Sequence, residues 1–321
     1  MIERAIAEKN RIWEIVTGSH LYGTATPESD KDFLGIFMPE PQYVLGFKRC
    51  EEVDFSVISK DVNGKNTKET LDRKLYEIRK FVSLARDNNP NILESLFVNE
   101  ENIVYISDIG KELLAIRHLF PHKGLKQKFL GYAMAQKHKM VVKRDHYFDL
   151  VGAFDFLDRF DIRKTLLEVI LLNNNPYFIK PIKSHKGNIE SVSIGDVSFN
   201  PTVTIKFTRK RLEERISKVG NRKDLLLKYG MDVKFGSHLI RLMFQGLELL
   251  KTGELKFPLK ERQIINDIKS GKWTLEQILN VSNELEKEIE DVVLHSPLPD
   301  KPNTEALENF VVNKLRDWIL R

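Results

Sequence analysis

Two aspartates two residues apart, Asp30 and Asp32, stand at the head of an apolar run from Phe33 to Met38. In a strand, side chains alternate between faces, so Asp30 and Asp32 project together while Lys31 points away. Paired carboxylates on one edge of a rigid strand suit a hard divalent cation such as Mg²⁺. Upstream, Gly18-Ser19 follows a strand-like run, Ile12 to Val16, and opens a short helix. Glycine lets the backbone approach closely, and a serine hydroxyl beside free helical N–H groups suits a phosphate. A phosphate cradle next to a metal-binding strand describes nucleotide chemistry. The plainer alternative takes Asp-x-Asp after Thr26-Pro27-Glu28-Ser29 as turn or helix-cap chemistry. That accounts for Ser29 and Asp30. It leaves Asp32, inside a strand, and the Gly-Ser upstream without a reason.

The elements that must hold these residues follow from the patterning. Residues 2 to 9 read as a helix, and a strand ends at Thr17. Pro39 and Pro41 close the strand that carries Asp32, and a second apolar run spans Val53 to Ile58. Asp61-Val62-Asn63-Gly64 reads as a hairpin turn, Asn-Gly being a strong signal, with the return strand from Thr70 to Tyr76 bearing Asp72. Helical spacing of Ile78, Phe81, Val82, Leu84 and Ala85 follows, until Asn88-Asn89-Pro90 breaks it and starts a short helix, Asn91 to Val98. Glu94 lies in that helix, where capping and packing are its expected tasks.

Residues 122 to 144 form a basic helix with Phe129 and Tyr132 interleaved. Such a surface suits a phosphate backbone with base stacking on Tyr132, against the alternative of a solvated helix whose Phe129, Tyr132 and Met140 face the core. Between Tyr177 and Phe207 the pattern turns β-like, with Lys186-Gly187-Asn188 and Gly195-Asp196 as turns. Lys234, His238 and Arg241 then fall at i, i+4 and i+7, one helix face, with Leu239, Leu242, Met243, Leu247 and Leu250 opposite. Three cations in a row are what a triphosphate or an RNA backbone needs; a solvated basic face is the alternative. Three amphipathic helices, Leu259 to Ser270, Thr274 to Leu294 and Thr304 to Leu320, complete the chain.

Whole-chain quantities set the bounds. A length of 321 residues, with 30% charged and 41% hydrophobic, is ordinary for a protein with a full core, and suggests two domains. The net charge of +5 permits a polyanionic partner without demanding one. A single cysteine, Cys50, excludes an internal disulfide and a cysteine metal cluster. No apolar run of membrane-spanning length occurs, and MIERAIAEKN has no apolar signal core, so a cytoplasmic protein is expected.

The order Gly18-Ser19, Tyr22-Gly23, Ser29-Asp30-Lys31-Asp32 resembles the signature of DNA polymerase beta-like nucleotidyltransferases. The blocks LDRKLYEIRKF (Leu71 to Phe81), NNPNILESLF (Asn88 to Phe97), KFGSHLIRLMFQGLELLKTGE (Lys234 to Glu254) and SPLPDKP (Ser296 to Pro302) are similar to the RNA-ligase-associated, RNA-repair branch. The resemblance implies an α/β (α+β) fold: a mixed nucleotidyltransferase sheet with flanking helices in residues 1–118. A mostly helical nucleotide- and substrate-binding domain with a small β insertion follows in 119–321. It implies a third catalytic and metal-binding carboxylate on Asp72, with Glu77 and Asp54 as alternatives, beside Asp30 and Asp32. It further implies two Mg²⁺ ions (or Mn²⁺), an NTP held by Gly18 and Ser19 with Lys234, His238 and Arg241 as clamps, and an RNA 3′ end as acceptor. A protein hydroxyl as acceptor, or nucleotide binding without turnover, are the competing expectations.

Overall fold

The computed structural model describes residues 2–27, 29–59, 70–172, 176–220 and 222–321. The expected turn at Asp61-Val62-Asn63-Gly64 lies outside the described residues. Five strands form a mixed sheet: β1 (Arg11–Thr17), β2 (Asp32–Phe37), β3 (Glu52–Asp54), β4 (Asp72–Glu77) and β5 (Ile103–Ile106), in the order β3-β4-β2-β1-β5. All neighbours are antiparallel except β2 and β4, which run parallel.

The alternation read from the sequence sorts the two faces. Trp13, Ile15, Leu34 and Ile36 share one face and are buried. The helix Ile78–Arg86 packs there, with the Phe81 ring edge-on to Trp13 at 5.7 Å. On the other face Ala7 of the helix Ile2–Lys9 joins Phe37, Val53 and Leu75. That face also buries Glu14, which accepts from Arg73 Nε at 2.5 Å and from Arg11. A carboxylate buried this deeply persists because two guanidiniums compensate it. The apolar run Val53 to Ile58 yields a strand of only three residues plus a bridge from Val57 to Leu71.

The chain divides into two compact units. One comprises Met1–Gln136 with Gly236–Arg321, and the other is the insertion Lys137–Phe235. The first unit therefore holds the five-stranded sheet together with three C-terminal helices, Arg262–Lys269, Leu275–His295 and Thr304–Ile319. Trp318 ties the last helix to the sheet layer through an Nε1 hydrogen bond to the Pro39 carbonyl, 3.0 Å. In the inserted unit, β6 (Lys180–Lys183), β7 (Ile189–Ile194) and β8 (Val197–Phe199) make an antiparallel sheet. Its turns are those read from the sequence, with Gly187 and Gly195 at φ +81° and +55°. The basic segment after His122 is a 33-residue helix, Leu125–Leu157, in which Phe129 and Met140 are buried and Tyr132 is exposed. Among the described residues, no helix is long and apolar enough to cross a membrane.

Candidate active site

The parallel pairing of β2 with β4 sets Asp32 directly opposite Asp72. Both aspartates begin their strands, so their carboxylates leave the same edge of the sheet. On the other side of Asp32 the register partner is Thr17, the last residue of β1. The chain turns there into the helix Gly18–Tyr22. Gly18 sits at φ +65°, and a Cβ built on it would collide with Asp32 Oδ2. Only glycine accepts both the left-handed backbone and the carboxylate against it. Gly23 closes the short helix in the same conformation, φ +70°, with Pro258 where a side chain would go. Both glycines of the signature are thus demanded by contacts.

Ahead of β2, Ser29 N donates to the Thr26 carbonyl and Ser29 Oγ accepts from Thr26 N, 2.9 and 2.8 Å, and β2 itself begins only at Asp32, so Asp30 lies two residues ahead of the strand and not on it as expected. Partial burial raises the Asp32 carboxyl to about 6, with the Asp72 and Asp30 charges adding to it and His20 opposing. Asp72 Oδ1 accepts from Ser56 Oγ at 3.1 Å, which fixes the carboxylate of this exposed residue from the adjacent segment. Of the two other acids considered for the third position, Glu77 lies far along the strand, whereas Asp54 is bonded to the same Ser56 that holds Asp72. Glu77 is at the far end of β4, buried and paired with Arg79 at 3.0 Å, about 16 Å from Asp72 at strand rise. Asp54, at the end of β3, accepts from Ser56 N at 2.8 Å, and that bonding holds its carboxyl below the usual range.

Among the described residues, no three His, Cys, Asp or Glu side chains stand close enough together to hold a metal ion as they are. The donor chemistry of Asp30, Asp32 and Asp72 nonetheless suits a hard divalent cation. All donors are carboxylate oxygens, and the like charges that raise Asp32 are relieved by a cation.

The three cations at i, i+4 and i+7 meet different fates in the helix Val233–Thr252. Lys234 and His238 are exposed, whereas Arg241 is 5% exposed. Lys234 belongs to the inserted unit, His238 and Arg241 to the unit of the sheet. Arg241 Nη1 donates to Glu94 Oε2 and to Gln245 Oε1, both at 2.8 Å, and its guanidinium stacks on the Tyr22 ring at 4.3 Å. Gln245 Nε2 donates to Glu94 Oε2 at 2.8 Å, and the Tyr22 hydroxyl donates to Glu94 Oε1 at 2.5 Å. Burial pushes the Tyr22 phenol well above its ordinary value, with the Arg241 charge opposing, so the hydroxyl remains a donor. Glu94 is therefore the acceptor at the centre of a buried network, beyond the capping and packing expected of it.

This network joins three of the sequence blocks: Tyr22 from the signature, Glu94 from NNPNILESLF, and Arg241 with Gln245 from the long helix. A fourth, SPLPDKP, closes on the same helix through Ser296 Oγ to the Leu250 carbonyl, 2.6 Å. Sequence reasoning passed over Gln245, although its i+4 spacing from Arg241 places both on one face.

A protein from Enterobacteria phage T4, described as an uncharacterized 38.9 kDa protein of the nrdC-mobD intergenic region, is 29% identical over 318 residues. That match takes in 93% of this chain and 91% of the phage protein. A solved structure of a nucleotidyltransferase-like protein from Exiguobacterium sibiricum is similar at 8% identity, over 92% of this chain and 72% of that one. Its TM-score of 0.25 is too low to bear on fold or function. The profile of RlaP, the RNA repair pathway DNA polymerase beta family, matches residues 3–313, which takes in the whole inserted unit and all but the ends of the other. The chain belongs to that family, and with it to the polymerase beta-like nucleotidyltransferases.

Proposed function

We propose that the protein transfers a nucleoside monophosphate from an NTP to the hydroxyl of an RNA 3′ end and releases pyrophosphate. The observation that carries this reading is the parallel register of Asp32 with Asp72, beside a glycine that the Asp32 carboxylate and a left-handed backbone both require. Asp30, Asp32 and Asp72 would hold Mg²⁺ or Mn²⁺, which supplies Lewis-acid stabilisation of the attacking and leaving oxygens when bound. The Asp72 carboxylate accepts the proton of the acceptor hydroxyl as its oxygen bonds to the α-phosphorus. The bond from the α-phosphorus to the bridging oxygen breaks, and pyrophosphate leaves. Gly18 and Ser19 hold the β- and γ-phosphates, with His238 as an added cation. Arg241, engaged by Glu94, acts on Tyr22 and so on the Gly18–Tyr22 turn rather than on phosphate.

An RNA acceptor is supported by the family's place in RNA repair and by the distribution of charge. The inserted unit carries 20 Lys and Arg against 12 Asp and Glu, a net of +8 in a chain whose total is +5. The rest of the chain is therefore −3. The test is incubation of the protein with each α-labelled NTP, Mg²⁺ and RNA bearing a 3′ hydroxyl. Label is expected in the RNA, and Asp72→Asn should reduce the rate by about 10²–10⁴-fold, the span of a lost general base. Wild-type rates in a folded Asp72→Asn variant would remove the mechanism. Label in an added protein instead of RNA would reassign the acceptor.

A further inference from the structure

A cavity of about 690 Å³ opens on the inserted unit, and every residue lining it belongs to that unit. Three aromatic side chains face it: Phe148 from the long helix Leu125–Leu157, and Tyr177 and Phe178 from the segment before β6. Tyr177 is 76% exposed, with its ring 5.3 Å from that of Phe178 at 69°. Phe178 in turn is wedged by Phe156 at 6.3 Å and lies over Gly152, where an added Cβ would meet the ring at 3.0 Å. Phe178 is therefore held from behind, and Tyr177 projects from it into solvent. A large aromatic ring this exposed, on a rigid base beside a cavity, is a stacking platform without its second layer.

The polar groups say what the second layer is. Arg144 stands over the Phe148 ring at 5.4 Å, and Lys180 reaches Asp149 Oδ2 at 3.2 Å while staying 59% exposed. Asp149 is 5% exposed. The lining carboxylates Asp145 and Asp149, paired with Arg144 and Lys180, repel phosphate and accept hydrogen bonds from amino groups, whereas the two lining cations attract phosphate. A flat ring bearing amino donors, attached to a phosphate, meets both conditions. The volume admits a nucleoside with room to spare. The net +8 of the unit supplies the long-range attraction that a polyanion needs and an acidic or neutral peptide would use less fully.

We propose that this cavity binds an unpaired nucleobase of single-stranded RNA, stacked on Tyr177, with the flanking phosphate at Lys180 and Arg144. The proposal rests on RNA being the acceptor, and it deepens that reading by giving the acceptor strand a docking site of its own.

The test uses the full chain in EDTA, so that no turnover is required, and an RNA oligonucleotide carrying one 2-aminopurine. Wild type should quench the fluorophore in the single strand and leave it unquenched in a duplex. Tyr177→Ala should weaken single-strand binding by about 5- to 150-fold, the cost of one lost base–aromatic stack, with the salt slope unchanged because stacking releases no counterions. Tyr177→Phe should bind as wild type does, since the ring and not the hydroxyl does the stacking. Equal binding by wild type and Tyr177→Ala would overturn the proposal. So would duplex quenching equal to that of the single strand, or a Tyr177→Phe defect as large as that of Tyr177→Ala. Displacement of the RNA by an unstructured acidic peptide whose own affinity falls equally in Tyr177→Ala would assign the cavity to protein and overturn it too. If 2-aminopurine binding behaves as expected while no NTP label reaches RNA, the transferase reading fails alone. If label reaches RNA with unaltered rate and KM for RNA in Tyr177→Ala, the cavity proposal fails alone.

Discussion

At the scale of single residues, Asp32 carries the most information, because its carboxyl titrates near 6 rather than at the usual 3.8. Between those values the folded chain holds a proton that the unfolded chain has released. The stabilisation from this group is therefore present at low pH and lost as pH rises through 6. A divalent cation bound by the same carboxylates competes with that proton. The thermal shift produced by Mg²⁺ should consequently be small at pH 5, grow through pH 6 and level off above about pH 7. Asp32→Asn, which cannot ionise, should show little Mg²⁺ shift at any pH. Scanning fluorimetry at pH 5, 6 and 7.5, in EDTA and in Mg²⁺, measures both. A wild-type shift as large at pH 5 as at pH 7.5 would mean that Asp32 is not where the cation binds.

Elements meet at Glu94. The short helix that follows Asn88-Asn89-Pro90 brings this carboxylate to the long helix Val233–Thr252 and to the Gly18–Tyr22 turn at once. Asn88, at φ +54° and fully buried, reverses the chain so that this is possible, and Asn89 caps the new helix through Asn91 N. Truncating either charged partner strands the other in the interior, so Arg241→Ala should cost about 3–5 kcal/mol of stability. Adding Glu94→Gln to it should cost much less than the sum of the two single changes, because the uncompensated carboxylate is removed. Urea midpoints of the two single variants and the double variant decide the matter. Strict additivity would show that the network does not act as a unit. If Arg241→Ala kept full stability and raised only the KM for NTP, the arginine would be a direct phosphate ligand after all.

The whole molecule is polarised in charge: the unit of the sheet is net acidic and the inserted unit strongly basic. Attraction for RNA should accordingly come from the insertion. Lys183 and Lys186 are both exposed there, the first at the end of β6 and the second in the β6–β7 turn. Reversing both to Glu should reduce the slope of log affinity against log salt by roughly 0.7 for each phosphate of single-stranded RNA that is no longer neutralised. The same reversal at Lys48 and Lys111, exposed on the other unit, should leave the slope unchanged. Filter binding across a salt series reads the slopes directly. Equal reductions from the two units would show that the insertion has no privileged role in attraction.

Much of the candidate site's sheet edge was legible in the sequence because its determinants are local. The strand headed by Asp32, the bonds between Thr26 and Ser29, and a glycine before serine at a strand end are short-range signals that appear where they were read, although Asp30 itself falls just outside the strand. The same holds for the helix beginning at Ile78 and for the glycine turns of the small sheet. Only tertiary structure decided that β4 lies parallel to β2 and faces Asp72 to Asp32, since strand order and direction depend on contacts between distant segments. It also decided the fate of Arg241. Helical spacing puts Lys234, His238 and Arg241 on neighbouring turns, but burial is set by what packs against each turn. Glu94 and Tyr22, remote in sequence, draw only the last of the three inside. The division into units is of the same kind: the C-terminal helices share a unit with a sheet more than a hundred residues away because their apolar faces are buried there.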